Sequence, residues 1–191
     1  MDNPYDILLR ISRVFEQLPA DYVVVGSFAS SLRGMVRATN DVDMVVDLKV
    51  DQIFPLVNQV AHDFYVSELS VRRAISLGRS FNLIHFDSAF KVDVFIPPPG
   101  GFGWQQLARR CPEQLSPDRP DRIYVATAED IVLAKLDWYR RGGQVSTQQW
   151  ADILGVMRIS GPLDADYLHE QAAQLGLAPL LERVLIEADK P

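Results

Sequence analysis

The sequence predicts a mixed α/β (α+β) fold, in which a mixed, twisted sheet is flanked by helices and followed by a helical C-terminal part. Three observations carry that prediction. Short apolar runs at residues 22–25, 41–48, 80–86 and 89–96 have the length of strands and, where acids interrupt them, the two-residue alternation of strands. The segment ahead of them repeats Ile7, Ile11, Val14, Phe15 and Leu18 at helical spacing. Beyond Val125 the strand patterns cease and capped helical patterns take over. At 191 residues the chain suffices for one core with a small appendage, which the pattern change divides into an α/β core at 1–125 and a helical part at 126–191.

The elements follow in order. Asn3-Pro4 is an N-cap and N1 pair, and the opening helix runs from it until Pro19 stops the pattern. Residues 22–25 are the first strand, Ser27 to Arg33 a short helix with Gly34 as its exit, and 41–48 the second strand. Asp51 is expected to cap a helix whose apolar stripe is Ile53, Leu56, Val57, Val60, Ala61 and Phe64, with Pro55 tolerated in its first turn. Residues 70–77 give another short helix, closed by Gly78. Asp87-Ser88 folds 80–86 back onto 89–96 as an antiparallel hairpin, and Pro97-Pro98-Pro99-Gly100-Gly101 ends its ladder. A second polar, Pro-containing break at 118–121 precedes a short strand, Ile123-Tyr124-Val125. Thr127 with Asp130 makes a capping box that opens a helix closed by Gly142-Gly143. Ser146 with Gln149 opens the next, which carries Trp150, Ile153, Leu154 and Met157 and ends at Gly161-Pro162; Asp164 caps a third and Pro179 starts a fourth.

Composition narrows the function classes. Hydrophobic residues at 48% and charged residues at 23% are ordinary for a soluble globular protein. No run approaches the roughly 20 apolar residues that a membrane helix needs. Met1-Asp2-Asn3-Pro4 lacks the basic-then-apolar layout of a signal peptide, so a cytoplasmic protein without membrane association is expected. The lone Cys111 excludes an internal disulfide and a multi-cysteine zinc site. A net charge of −6 argues against non-specific DNA binding, which depends on neutralising phosphates. Local basic pockets are still allowed, and Arg33 and Arg37 stand directly ahead of an acidic motif. His62, His85 and His169 lack metal-ligand spacing, Gly101-Phe102-Gly103 lacks the context of a dinucleotide fingerprint, and there is no Walker sequence.

The chemistry lies in three acids and a turn. Asp41 and Asp43, in Asp41-Val42-Asp43, project from one face of a strand, with Val42 and Met44 on the other. Two carboxylates on one face repel unless a cation sits between them, and oxygen-only ligands suit Mg²⁺ or Mn²⁺ better than Zn²⁺. Asp93, in Lys91-Val92-Asp93-Val94-Phe95, shares a strand face with Lys91 and Phe95. Gly26-Ser27 follows an apolar strand and opens a helix, so unpaired N–H groups and the positive end of the helix dipole are available to phosphates.

Gly26-Ser27-Phe28-Ala29-Ser30, then Arg37-Ala38-Thr39-Asn40-Asp41-Val42-Asp43, then Asp93, together resemble the signature of the nucleotidyltransferase superfamily. The nearest likeness is to small bacterial proteins related to the toxin of abortive-infection toxin–antitoxin pairs. Thr127 to Leu136 and Trp150-Ala151-Asp152-Ile153 resemble the helical part of those proteins. The resemblance implies a nucleotidyltransferase fold that binds an NTP at Gly26, Ser27, Arg37 and Lys135. It implies Asp41, Asp43 and Asp93 as catalytic residues holding Mg²⁺ (or Mn²⁺). Two metals about 3.5–4 Å apart would clamp the attacking and leaving oxygens, and Asp93 would orient or deprotonate the acceptor hydroxyl. Lys135 would meet the triphosphate, with snorkelling to the surface as the plain alternative; Asp152 stands open between a site role and a solvated helix position.

The acceptor stays open among an RNA end, a protein hydroxyl and a small molecule. A rival reading is a non-catalytic nucleotide- or partner-binding module on the same fold, for instance one component of a toxin–antitoxin pair with an antitoxin-type protein partner. A third is a structural α/β protein whose acids coincide by chance.

Overall fold

The computed structural model of the protein describes residues 3–33, 41–116 and 119–189. Gly34, Arg37, Thr39-Asn40 and the break at Asp118 lie outside the described residues. The chain divides into two compact units, Met1–Phe28 with Ala38–Ala126, and Ala29–Arg37 with Thr127–Pro191.

The first unit is built on strands β1 (Tyr22–Val25), β2 (Asp41–Val46), β3 (Phe64–Tyr65), β4 (Ser80–His85), β5 (Lys91–Phe95), β6 (Cys111–Ser116) and β7 (Arg119–Val125). Among the described residues these seven form one mixed sheet in the order β3-β4-β5-β2-β1-β7-β6. β2 runs parallel to β5 and β1 parallel to β7, while β1–β2, β3–β4, β4–β5 and β6–β7 are antiparallel. β1 is buried at all four positions, which is why it reads as an unbroken valine-rich run. The helices of this unit are α1 (Pro4–Gln17), the first residues of α2 (Gly26–Arg33), α3 (Ile53–Val60), α4 (Glu68–Leu77) and α5 (Gly103–Arg109). Asn3 caps α1 by accepting the Tyr5 N–H at 2.6 Å. Ile7, Leu8, Ile11, Val14 and Phe15 form its buried stripe. On the opposite side Arg13 pairs with Asp121 at 2.6 Å, and Arg10 pairs with Asp63.

Several local expectations are corrected. Asp51 does not cap α3: the Gln52 side chain accepts the Lys49 N–H at 2.8 Å, and Val50–Gln52 forms a 3₁₀ turn ahead of the helix. Phe64 does not extend the α3 stripe, because the helix ends at Val60 and Phe64 enters β3 opposite His85, its ring meeting the imidazole edge-on at 5.1 Å. β2 stops at Val46 rather than residue 48. α4 begins at Glu68, with Ser67 as its cap, rather than at residue 70. The strand expected at 123–125 begins at Arg119, and its antiparallel partner β6 was not expected. β6 lies at the sheet edge, where Pro112 removes no interior ladder bond.

The second unit holds α6 (Ala128–Arg141), α7 (Thr147–Ile159), α8 (Ala165–Leu175) and α9 (Ala178–Ala188). Their starts follow the expected caps: Thr127 accepts the Asp130 N–H at 3.3 Å, Ser146 the Gln149 N–H at 3.2 Å, and Asp164 the Tyr167 N–H at 3.0 Å. Asp130 also has a second function, since its carboxylate accepts the Tyr167 hydroxyl at 2.6 Å and ties α6 to α8. Val132, Leu133, Leu136, Ile153, Val156, Leu181 and Val184 are all fully buried and form the bundle core. Among the described residues no helix is long and apolar enough to cross a membrane.

Candidate active site

The site grows from the end of β1. Val25 hands the chain to Gly26, whose φ of +67° is the left-handed conformation that only glycine adopts without strain. The same residue is required for a second reason. A Cβ at Gly26 would overlap Asp43 Oδ2 and lie 2.8 Å from Asp43 Cγ and 3.0 Å from its Cβ. The Asp43 carboxylate therefore occupies the space directly beside the turn that opens α2. Ser27 is the next residue of that helix and is partly exposed, and the first N–H groups of any helix have no acceptor within the helix itself. Phe28 anchors this first turn by packing edge-on against Tyr5 at 5.6 Å.

The register of three strands places the acids. Asp43 lies opposite Val25 on β1 and opposite Asp93 on β5, and Asp41 lies opposite Lys91. Strands sit about 4.8 Å apart, so the Asp43 and Asp93 side chains rise from adjacent positions on one face. Burial follows the same two-residue period: Val42, Met44, Val92 and Val94 are fully buried, while Asp41, Asp43, Lys91 and Asp93 are partly open. The shared face expected from the sequence is the face observed.

Asp93 is held from two sides. Lys91 Nζ stands 2.6 Å from its Oδ2, and the Asn82 side-chain amide donates to its Oδ1. The Lys91 ammonium is held above the usual lysine range, first by this hydrogen bond and further by the charges of Asp93, Asp41 and Asp43, with partial burial opposing. Neither Lys91 nor Asn82 was singled out from the sequence. A signal for Asn82 was present: counting outward from the Asp87-Ser88 turn sets it opposite Asp93, as observed. Lys91 could have been found from its place two residues before Asp93 on the same strand face.

The donor set fits a hard divalent cation in kind. It is oxygen-only, it lies on one face of two neighbouring strands, and the missing Cβ of Gly26 leaves Asp43 its space. Among the described residues, however, no three His, Cys, Asp or Glu side chains stand as a ready cage for a metal ion, and Asp93 is engaged by Lys91 and Asn82.

Two further candidates come from the resemblance. Arg37 lies outside the described residues. Lys135 is buried on α6, and its ammonium donates to Asp152 Oδ2 at 3.0 Å, while Gln148 donates to Asp152 Oδ1 at 3.1 Å. The alternative of snorkelling to the surface is not what is seen: the side chain ends in an ion pair inside the second unit, and Asp152 is the partner in that pair. Cys111 begins β6 as a free thiol.

No protein-family model matches the sequence, and neither does any curated protein. Solved structures do resemble it. The antibiotic-resistance factor ANT(2'')-Ia, determined in solution, superposes with a TM-score of 0.57 at 14% identity, over 95% of this chain and 97% of that one. An antigenic nucleotidyltransferase-like protein from Paracoccidioides brasiliensis superposes with a TM-score of 0.53 at 18% identity, over 94% and 90% of the two chains. The mixed seven-stranded sheet and its flanking helices thus have the fold of nucleotidyltransferase-like proteins.

Proposed function

We propose that this protein is a metal-dependent nucleotidyltransferase that binds an NTP at the Gly26-Ser27 turn and transfers its nucleotidyl group to an acceptor hydroxyl. The observation that carries the reading is the junction of β1, β2 and β5, where the Asp43 carboxylate fills the space a side chain at residue 26 would take and lies in register with Asp93. A turn followed by a helix start suits a triphosphate, and acids placed beside it suit the reacting phosphorus.

In this reading Ser27 and the first N–H groups of α2 bind the β and γ phosphates. Asp41 and Asp43 would hold Mg²⁺ (or Mn²⁺), joined by Asp93 once its carboxylate is released. The cation, when bound, offsets the charge that develops on the α-phosphate and the leaving pyrophosphate. Asp93 also receives the proton of the acceptor hydroxyl, and Asn82 fixes the carboxylate orientation for that transfer. Arg37 and Lys135 enter as nucleotide ligands only through the resemblance. Residues 1–125 are proposed as the transferase core and 126–191 as its helical part. The acceptor is an RNA end, a protein hydroxyl or a small molecule.

A second reading, a nucleotide- or partner-binding module that does not catalyse, such as one half of a toxin–antitoxin pair, is favoured by the hold of Lys91 and Asn82 on Asp93. The two are separated by incubating the chain with each α-labelled NTP, Mg²⁺ or Mn²⁺, and acceptor pools of tRNA, protein and hydroxylated small molecules. Label transferred by the native chain and lost with Asp43→Asn supports the enzyme. Nucleotide binding without transfer to any pool supports the module.

A further inference from the structure

One ammonium stands among three carboxylates. Lys91 is opposite Asp41 in the β2–β5 register, contacts Asp93 at 2.6 Å, and Asp93 is in turn opposite Asp43. The two partners of the ion pair differ in freedom. The Asp93 side chain is 16% exposed and pinned at its other oxygen by Asn82, whereas the Lys91 side chain is 41% exposed on a flexible four-carbon stem. The carboxylate is therefore the fixed partner and the ammonium the one that moves. An ammonium and a divalent cation on the same carboxylate repel each other, and each neutralises the charge that attracts the other.

We infer that Lys91 is a resident counter-ion that must give up Asp93 before a divalent cation can use it, and that the phosphates of an incoming nucleotide supply the alternative anion that draws Lys91 away. The inference rests on the proposed NTP-binding reading and adds its regulation: the Asp93 charge is offset by Lys91 until nucleotide arrives, so metal and nucleotide bind with positive coupling. Lys91 is a positioning residue in this scheme. It acts by blocking Asp93 in the free protein and by releasing it in the loaded one.

The test is Mn²⁺ binding to the full chain, read by electron paramagnetic resonance of free Mn²⁺, with and without a non-hydrolysable NTP analogue. It compares the native protein with Lys91→Met and Lys91→Gln, each checked for native circular dichroism. Removing a charge-assisted hydrogen bond competitor corresponds to roughly a tenfold or greater gain. Mn²⁺ alone is expected to bind the Lys91 variants about tenfold more tightly than the native chain, and the tightening caused by the analogue should shrink by a similar factor. If the native chain binds Mn²⁺ with analogue but both variants bind Mn²⁺ alone no more tightly than it does, the counter-ion role is overturned while the NTP site stands. If no form binds Mn²⁺ with or without analogue, the proposed function falls and the inference falls with it.

Discussion

Gly26→Ala isolates what the β1–α2 junction is for. Two penalties meet at this position. A left-handed φ of +67° costs an alanine about 1–2 kcal/mol. The added Cβ also collides with Asp43, and restoring an ordinary carbon separation of about 3.5–4.0 Å from the 2.8 Å at Cγ moves the carboxylate by about 1 Å. A displacement of that size at reacting groups costs on the order of 10²-fold in turnover. Gly100 supplies the control, because it has φ +71° and nothing within 4 Å of its added Cβ. Gly100→Ala should share the conformational penalty without the collision. Gly100→Ala is therefore expected to lose about 1–2 kcal/mol, or roughly 2–8 °C in melting temperature for a chain of this size, and Gly26→Ala at least as much. Only Gly26→Ala should lose NTP-induced stabilisation and transfer. Denaturant melts and thermal shifts with MgNTP read both quantities. If Gly26→Ala keeps full nucleotide response while Gly100→Ala shows the same destabilisation, the approach of Asp43 to the turn has no part in function and the reasoning is refuted.

Asp41→Asn and Asp43→Asn should each abolish transfer while the apo protein melts no lower than the native chain, since removing one of several like charges relieves repulsion; unfolding of both would make the acids structural. Tyr22 is fully buried and donates its hydroxyl to Glu16 at 3.0 Å, and burial above all pushes its pKa up. The folded state thus keeps a proton that the unfolded state sheds above about pH 10, so the stabilisation is complete below pH 10 and declines as pH rises beyond it, by about 1.4 kcal/mol per pH unit. Denaturant midpoints between pH 9 and 11 should show a weaker decline for Tyr22→Phe, and parallel curves would contradict the assignment. Lys135→Met takes the ammonium away from the Asp152 carboxylate and should cost about 1.5–3 kcal/mol, with Asp152→Leu added to it recovering part of the loss. A single variant as stable as the native chain would show that the pair contributes nothing.

The sequence made the acids legible because their neighbours are apolar. Val42, Met44, Val92 and Val94 can only point inward, so alternation alone placed Asp41, Asp43 and Asp93 on the open face. The helix caps at Asn3, Thr127, Ser146 and Asp164 were equally readable, since each is a local interaction within three residues. Failures came where a tertiary partner decided. Phe64 fits the α3 stripe by spacing, but pairing with His85 makes it a strand residue. β6 carries Pro112 and alternates weakly, and it becomes a strand through its ladder with β7. α5 follows a Pro-Gly run that reads as a loop, yet Gln106 and Leu107 are buried. At the site, Lys91 was placed on the face of Asp93 but given no role, and Asn82 was passed over because its meaning comes from register with Asp93 across the hairpin and not from any motif.

In the proposed function, nucleotide and divalent cation meet at the Gly26–Asp43–Asp93 junction. A crystal of the full chain grown with Mn²⁺ and a non-hydrolysable NTP analogue, with anomalous data at the manganese edge, tests it most directly. The expected result is an anomalous peak about 2.1 Å from a carboxylate oxygen of Asp43, triphosphate density at Ser27 and the first N–H groups of α2, and Lys91 turned from Asp93 toward phosphate. Nucleotide bound away from α2, or manganese bound without contact to Asp41, Asp43 or Asp93, would contradict it.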